Sequence, residues 1–297
     1  MVEHIHIIGC GAIGSLLAAK AQLNKYPVVR HIRSEPVTSV RLVDQQIVHL
    51  NTLQNCWPAS SKGQNLIILP LKSYQVAAAI AQYVEYFPPN SGIVLLHNGM
   101  GCYESVANAL TPYPVYLATT SVAAFKPSVT HCIHTGDGKT QLGAAGHNKN
   151  KAMQQSILSC FQSLLPSVQW QADVHRALWQ KLAVNSLINP LTAIHNIANG
   201  QLLEPQYTEQ LAGLAGEIAD VTKAENLYLS KSEVLTTTFD VIKKTANNYS
   251  SMQQDVKNQK TTEIDSINGF LLDCAKKHGI NCPYHQAVYQ GIKAISC

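Results

Sequence analysis

Apolar runs of strand length alternate with helix-length stretches through the first half of the chain, and then the alternation stops. His4-Ile5-His6-Ile7-Ile8 is β-type, and 15–25 follows with a helical pattern. Further strands are predicted at 27–32, 66–69, 92–97 and 114–120, with a helix after Lys72-Ser73 reaching about Tyr86. The runs 128–134 and 140–143 read as added antiparallel strands, joined by a turn at Gly136-Asp137-Gly138. Alternation of this kind predicts a doubly wound α/β domain. Beyond Val168-Gln169-Trp170-Gln171 the β signals cease. Helices are predicted near 173–196, 207–226, 231–247, 262–278 and 283–295, broken at Asn199-Gly200, Pro205, His278-Gly279 and Pro283. The expected organisation is therefore a dinucleotide-type α/β domain over 1–170 and an all-helical domain over 171–297.

The first long helix of the second half carries an unusual stripe. Leu178, Leu182, Ala183, Leu187 and Ile188 recur at helical spacing, while Lys181, Asn185 and Asn189 lie four apart on one polar line. A lysine among apolar neighbours must find partners or lose solvation at large cost. Its alternative is a solvated face from which the lysine snorkels to water.

Between the first strand and the first helix lies Gly9-Cys10-Gly11-Ala12-Ile13-Gly14, the G-x-G-x-x-G spacing of dinucleotide sites. The first glycine permits the turn, the second lets backbone approach a pyrophosphate, and the third allows close helix–strand packing. An acidic residue at the end of the second strand would hold a ribose 2′-hydroxyl. This chain has Arg30, His31 and Arg33 there, with Glu35 only after the turn into Pro36. A guanidinium suits a 2′-phosphate, which favours NADP(H) over NAD(H); a plain surface arginine is the alternative. Asn98-Gly99-Met100-Gly101 ends a predicted parallel strand, where ligands bind in such sheets. Asn98 can there offer both a donor and an acceptor.

Composition narrows the function classes. Hydrophobic residues make up 46% and charged residues 13% of 297, enough to bury a sizeable core. A formal charge of +4 is too mild and too dispersed for a nucleic-acid partner. Cysteines 10, 56, 102, 132, 160, 274, 282 and 297 form no CxxC pair and no metal-ligand spacing, so no metal is expected and a reducing, cytoplasmic setting is. The N-terminus enters a strand without a targeting signal, and no apolar run approaches the ~20 residues of a membrane span.

Two polar segments in the second half allow a structural or a functional reading. The first runs from Asn248-Tyr249-Ser250-Ser251 through Met252-Gln253-Gln254-Asp255 and reads as a turn between helices, with Ser/Asn capping. In the second, Thr261 to Gly269 in sequence, Thr262 and Asp265 fit a capping box, and Glu263 suits the dipole of a first turn.

Taken together, the glycine motif, His97-Asn98-Gly99-Met100-Gly101, the stretch 179–194, Ser250-Ser251-Met252 with Asp255, and Thr262-Glu263-Ile264-Asp265 with Asn268-Gly269 resemble the ketopantoate reductase (2-dehydropantoate 2-reductase) family. The resemblance covers nearly the whole chain. It implies an N-terminal Rossmann domain, a helical C-terminal domain, a site in the cleft between them, NADPH as cofactor and 2-dehydropantoate as a small-molecule substrate on the way to pantothenate and coenzyme A. It further implies Lys181 as catalytic proton donor and Asn98, Asn185, Asn189, Asn199 and Ser251 as substrate contacts. Arg33, Lys72, Asn98, Ala124 and Glu263 would contact cofactor, and Glu263 would also belong to the catalytic surroundings. Ala124 rests on the loosely matching Ser121-Val122-Ala123-Ala124-Phe125-Lys126. A monomer or homodimer fits equally. The rivals are a reductase of another 2-keto or 3-hydroxy acid and a non-catalytic NADPH-binding sensor.

Overall fold

A computed structural model describes residues 2–57, 63–146 and 150–296; Cys297 lies outside them. The chain divides into two compact units. The first comprises Met1–His97 and Cys102–Ala177; the second comprises Leu178–Cys297 together with Asn98–Gly101.

The first unit holds twelve strands among the described residues. In chain order they are β1 (Val2–Ile8), β2 (Val28–His31), β3 (Ser39–Arg41), β4 (Ile47–His49), β5 (Leu53–Gln54), β6 (Gln64–Leu69), β7 (Ser91–Leu96), β8 (Val115–Thr120), β9 (Ala123–Phe125), β10 (His131–Gly136), β11 (Thr140–Ala144) and β12 (Val168–Trp170). Eight of them form one sheet in the order β12-β11-β8-β7-β6-β1-β2-β5. The run from β8 to β5 is parallel throughout. Its strands extend outward from β1 on one side and from β6 on the other, the doubly wound order, with the reversal between β1 and β6. Continuous apolar stretches such as Leu66-Ile67-Ile68-Leu69 are fully buried because both sheet faces are covered. Helices α1 (Ala12–Leu23), α2 (Val76–Tyr83), α3 (Cys102–Val106) and α4 (Lys151–Leu164) accompany the sheet. The amphipathic face of α4 buries Met153, Ile157, Cys160, Phe161 and Leu164, and Asn150 caps its start by accepting from Met153 N–H.

Two expectations are corrected here. The runs around residues 131–136 and 140–144 form no hairpin. β11 pairs antiparallel with β8, whereas β10 lies in a separate four-stranded sheet, β4-β3-β10-β9. Gly136-Asp137-Gly138 is the crossing between sheets, packed so closely that a side chain at Gly138 would collide with the Ser121–Val122 backbone. Arg30 is not a surface residue at a strand end. It is 1% exposed, donating to Thr52 Oγ1 at 2.5 Å and Val37 O at 2.7 Å.

The second unit is helical: α5 (Val174–His195, in this unit from Leu178), α6 (Thr208–Ala224), α7 (Lys231–Lys244), α8 (Ser251–Lys257), α9 (Phe270–Lys277) and α10 (Pro283–Ile295). α5 is apolar nearly all round, with Trp179, Leu182, Ala183, Val184, Leu187, Ile188 and Leu191 buried, as befits a central helix. Buried Glu217 on α6 accepts from the free N–H groups of Tyr284 and His285 and so caps α10. Two more expectations change. Residues 251–257 form a helix instead of a turn, capped by Ser250 accepting from Gln253 N–H. No capping box forms at Thr262; the chain enters a single π-helical turn, Asp265–Gly269, ahead of α9. Such turns widen a helix by one residue and recur at functional sites.

Candidate functional site

In the first unit the glycine loop leaves β1 at the strand-order reversal. Gly9 N–H donates to His31 O at 3.3 Å, fastening the loop to the end of β2 two residues before Arg33. Gly14 passes so close to the Gly9 carbonyl that a Cβ there would overlap it. At Gly11 the opposite holds: no atom lies within 4 Å of the position a Cβ would take. Gly11 stands at the N-cap of α1, and no side chain caps that helix. The N–H groups of its first turn are left without a side-chain cap beside that open position, a fit for a pyrophosphate. Arg33 is exposed, whereas Arg30 is committed to the core. Lys72 and Leu71 follow β6, and Leu71 packs where a Gly9 side chain would lie. Ala124, on β9, packs against the core alongside Cys10, Ala12 and Ile13. Burial pushes the Cys10 thiol up to about 11, against the pull of the Arg30 and Lys126 cations. Lys126 thus stands near the loop, a residue that local patterning could not single out because it arrives from a distant strand.

The second unit assembles a compact polar constellation. Lys181 Nζ donates to Asn98 Oδ1 at 2.9 Å, and Asn98 Nδ2 donates to Glu263 Oε2 at 3.1 Å. One amide therefore joins the lysine to the buried carboxylate. Burial draws the Lys181 pKa down to about 8, opposed by the attraction of Glu263. That value lets the group exist as either acid or base near neutrality. Gly99 has φ +78° and lies against Ser266, leaving no room for a side chain, and Met100 N–H donates to Ser266 O at 2.8 Å. These contacts hold the Asn98 loop against the π-turn that follows Glu263.

Asn185 and Asn189 continue the stripe along α5. Asn189 is 7% exposed, and neither side-chain amide has a hydrogen-bond partner among the described residues. Such unspent capacity at a half-buried or buried position suits a polar ligand. Ser250 accepts from Thr192 Oγ1 at 2.8 Å, attaching the start of α8 to α5 just beyond Asn189. Ser250 serves as the cap, so the exposed Ser251 hydroxyl is not needed for structure. Asn199 is placed differently: buried, it donates from Nδ2 to Thr245 Oγ1 at 2.9 Å, and its Oδ1 has no partner among the described residues. No hydrogen bond links Asn199 to the lysine stripe among those residues.

Comparison with known proteins bears on the family and the fold. The family model for ketopantoate reductase PanE/ApbA matches residues 5–147, and the model for the ketopantoate reductase PanE/ApbA C terminal matches 173–296. A 2-dehydropantoate 2-reductase of Vibrio cholerae is 34% identical over 300 residues, covering 98% of this chain and 97% of its own. The crystal structure of a probable 2-dehydropantoate 2-reductase from Bacillus subtilis is 26% identical with a TM-score of 0.80, covering 99% of this chain and 100% of that one. A ternary structure of D-mandelate dehydrogenase with NADH and anilino(oxo)acetate is 22% identical with a TM-score of 0.88, covering 98% and 97% respectively, and shares the fold. The parallel doubly wound sheet, the helical second unit and these full-length matches lead to one conclusion: the chain belongs to the ketopantoate reductase family.

Proposed function

We propose that this protein is an NADPH-dependent 2-dehydropantoate 2-reductase, with 1–170 as its NADP(H)-binding domain and 171–297 as its substrate and catalytic domain. The observation that carries the reading is the Lys181–Asn98–Glu263 constellation, in a chain whose full-length relatives bear that enzyme name. When bound, the dihydronicotinamide supplies hydride to the C2 carbonyl carbon of the keto acid. Negative charge then develops on the carbonyl oxygen. Lys181 as ammonium stabilises that oxygen and transfers a proton from Nζ to it, leaving a 2-hydroxy acid and a neutral amine. Asn98 orients the ammonium, and Glu263 keeps its proton in place near neutral pH. Asn185 and Asn189 offer amides to the substrate's polar groups without adding charge, Asn199 is assigned as a further contact, and Ser251 donates to its carboxylate. Gly9 to Gly14, with Lys72, Ala124 and Asn98, would hold the cofactor, and Arg33 its 2′-phosphate. The free cysteines among the described residues suit a reducing cytoplasm.

The deciding assay follows NADPH oxidation with ketopantoate beside a panel of other 2-keto acids. Turnover with ketopantoate is expected to exceed that with every other acid by an order of magnitude or more. A preference for another acid replaces the substrate assignment, and no turnover with any acid leaves a cofactor-binding sensor.

Two substitutions test individual assignments. Arg33→Ala is expected to weaken NADPH binding by about 1–3 kcal/mol, the range for a lost charge-assisted contact, with NADH binding nearly unchanged. Titration with both cofactors checks it, and equal losses would remove Arg33 from the 2′-phosphate. Ser251→Ala is expected to raise KM for ketopantoate while NADPH affinity stays at the parent value. A fall in Tm with unaltered kinetics would instead make Ser251 a structural residue.

A further inference from the structure

Helix α5 contains a proline in its interior, Pro190. Proline has no N–H, so the carbonyl four residues earlier, that of Ser186, receives no α-helical hydrogen bond from it. Ser186 is fully buried, and an unpaired carbonyl there would be costly. The missing donor comes from another part of the unit: Asn268 Nδ2 donates to Ser186 O at 3.0 Å. Asn268 is itself fully buried, and its Oδ1 has no partner among the described residues. A buried amide with an idle oxygen carries a desolvation cost that an apolar side chain would avoid. The donation to Ser186 offsets it.

Asn268 also lies inside the π-turn Asp265–Gly269. That turn is attached on two other sides. Ser266 Oγ and Ile267 N–H both donate to Glu263 O, each at 3.1 Å, and Ser266 O receives Met100 N–H at 2.8 Å. The turn therefore fastens three pieces together: α5 at a point between Asn185 and Asn189, the Asn98 loop, and Glu263. We propose that Asn268 is a positioning residue, matched to Pro190, that sets the placement of Glu263 and Asn98 relative to Lys181. The proline leaves a vacant acceptor on α5 that the π-turn reaches through Asn268, and so fixes the register of the turn along the helix.

This inference rests on Lys181 being the proton donor, so it is tested by a readout that needs neither substrate nor turnover. Competitive acetylation of the intact protein across pH, with the Lys181 peptide quantified by mass spectrometry, reports the titration of this lysine. Asn268→Leu is expected to move that titration below its parent position of about 8. The apolar packing that lowers it is kept, whereas the Glu263 attraction that opposes the lowering recedes. An unchanged titration, or an upward one that signals general loosening and solvent entry, overturns the positioning role. Thermal unfolding of Asn268→Leu, Pro190→Ala and the double variant tests the pairing. Asn268→Leu is expected to cost about 2–10 °C more in Tm in the parent chain than in the Pro190→Ala background, where the helix supplies its own N–H to Ser186. Additive losses overturn the match. In the double variant the Lys181 titration stays displaced while this part of the stability returns, which no purely structural role of Asn268 produces. A failure of the ketopantoate assay leaves these readouts unaffected.

Discussion

Lys181→Ala is expected to lower kcat by about 10²–10⁴-fold, the usual contribution of a general acid, with folding and NADPH binding retained. The size follows from its setting, since Asn98 bonds the ammonium and aims it while Glu263 favours its charge. In the parent enzyme the rate of the chemical step is expected to fall as pH rises through about 8, as the ammonium loses its proton. That limb is expected to vanish in the alanine variant. Lys181→Arg restores charge but surrenders a proton poorly, so rescue is partial. Single-turnover hydride transfer measured across pH tests all three statements, and near-parent turnover by the alanine variant would sink the mechanism. Stability runs the opposite way to rate. The folded-state pKa of Lys181 lies below its ordinary 10.5, so burial of the ammonium costs stability at pH below about 8. That cost fades as pH rises toward 10.5.

Glu263→Gln is expected to cut the rate at least about fivefold at about pH 8 and to carry the alkaline limb down by about 1–3 in pH, the reach of a close opposite charge. The substitution keeps an acceptor for Asn98 Nδ2 and removes the charge that raises the lysine pKa. At sufficiently low pH, where Lys181 is again protonated, most of the lost rate should return. A pH–rate profile of both proteins decides the matter. A uniform loss with no displacement of the limb would assign Glu263 to binding instead of to proton control.

The parts of this site that were legible in the sequence are those written by local periodicity. Spacing alone put Lys181, Asn185 and Asn189 on one helical line, and the glycine motif between a strand and a helix marked the loop after β1. What joins the pieces is non-local. Asn98 meets residues 83 and 165 positions away, and no pattern within a window records such a contact. Arg30 and Arg33 look alike in sequence; the bonds of Arg30 to Thr52 and Val37 are what commit one of them to the core. The three-residue strands β3 and β4 are too short to show alternation. The apparent hairpin at Gly136-Asp137-Gly138 failed because turn residues also serve where a chain crosses from one sheet to another. The capping-box pattern at Thr262 failed because the π-turn, tied to α5 and to the Asn98 loop, overrides local capping chemistry.

The assignment of Asn98–Gly101 to the second unit also has a bearing on synthesis at the ribosome. These four residues emerge long before Lys181, and Glu263 emerges last of the three. While the α/β unit condenses, the Asn98 loop must wait without its partners, and the Lys181–Asn98–Glu263 constellation forms only when nearly the whole chain has been made. A ribosome stalled before residue 263 would therefore leave a nascent chain whose sheet can be complete while its lysine has yet to acquire the carboxylate that holds its charge. Truncation between the end of the sheet and residue 263 is then expected to remove activity without unfolding the first unit, and so to separate the two properties.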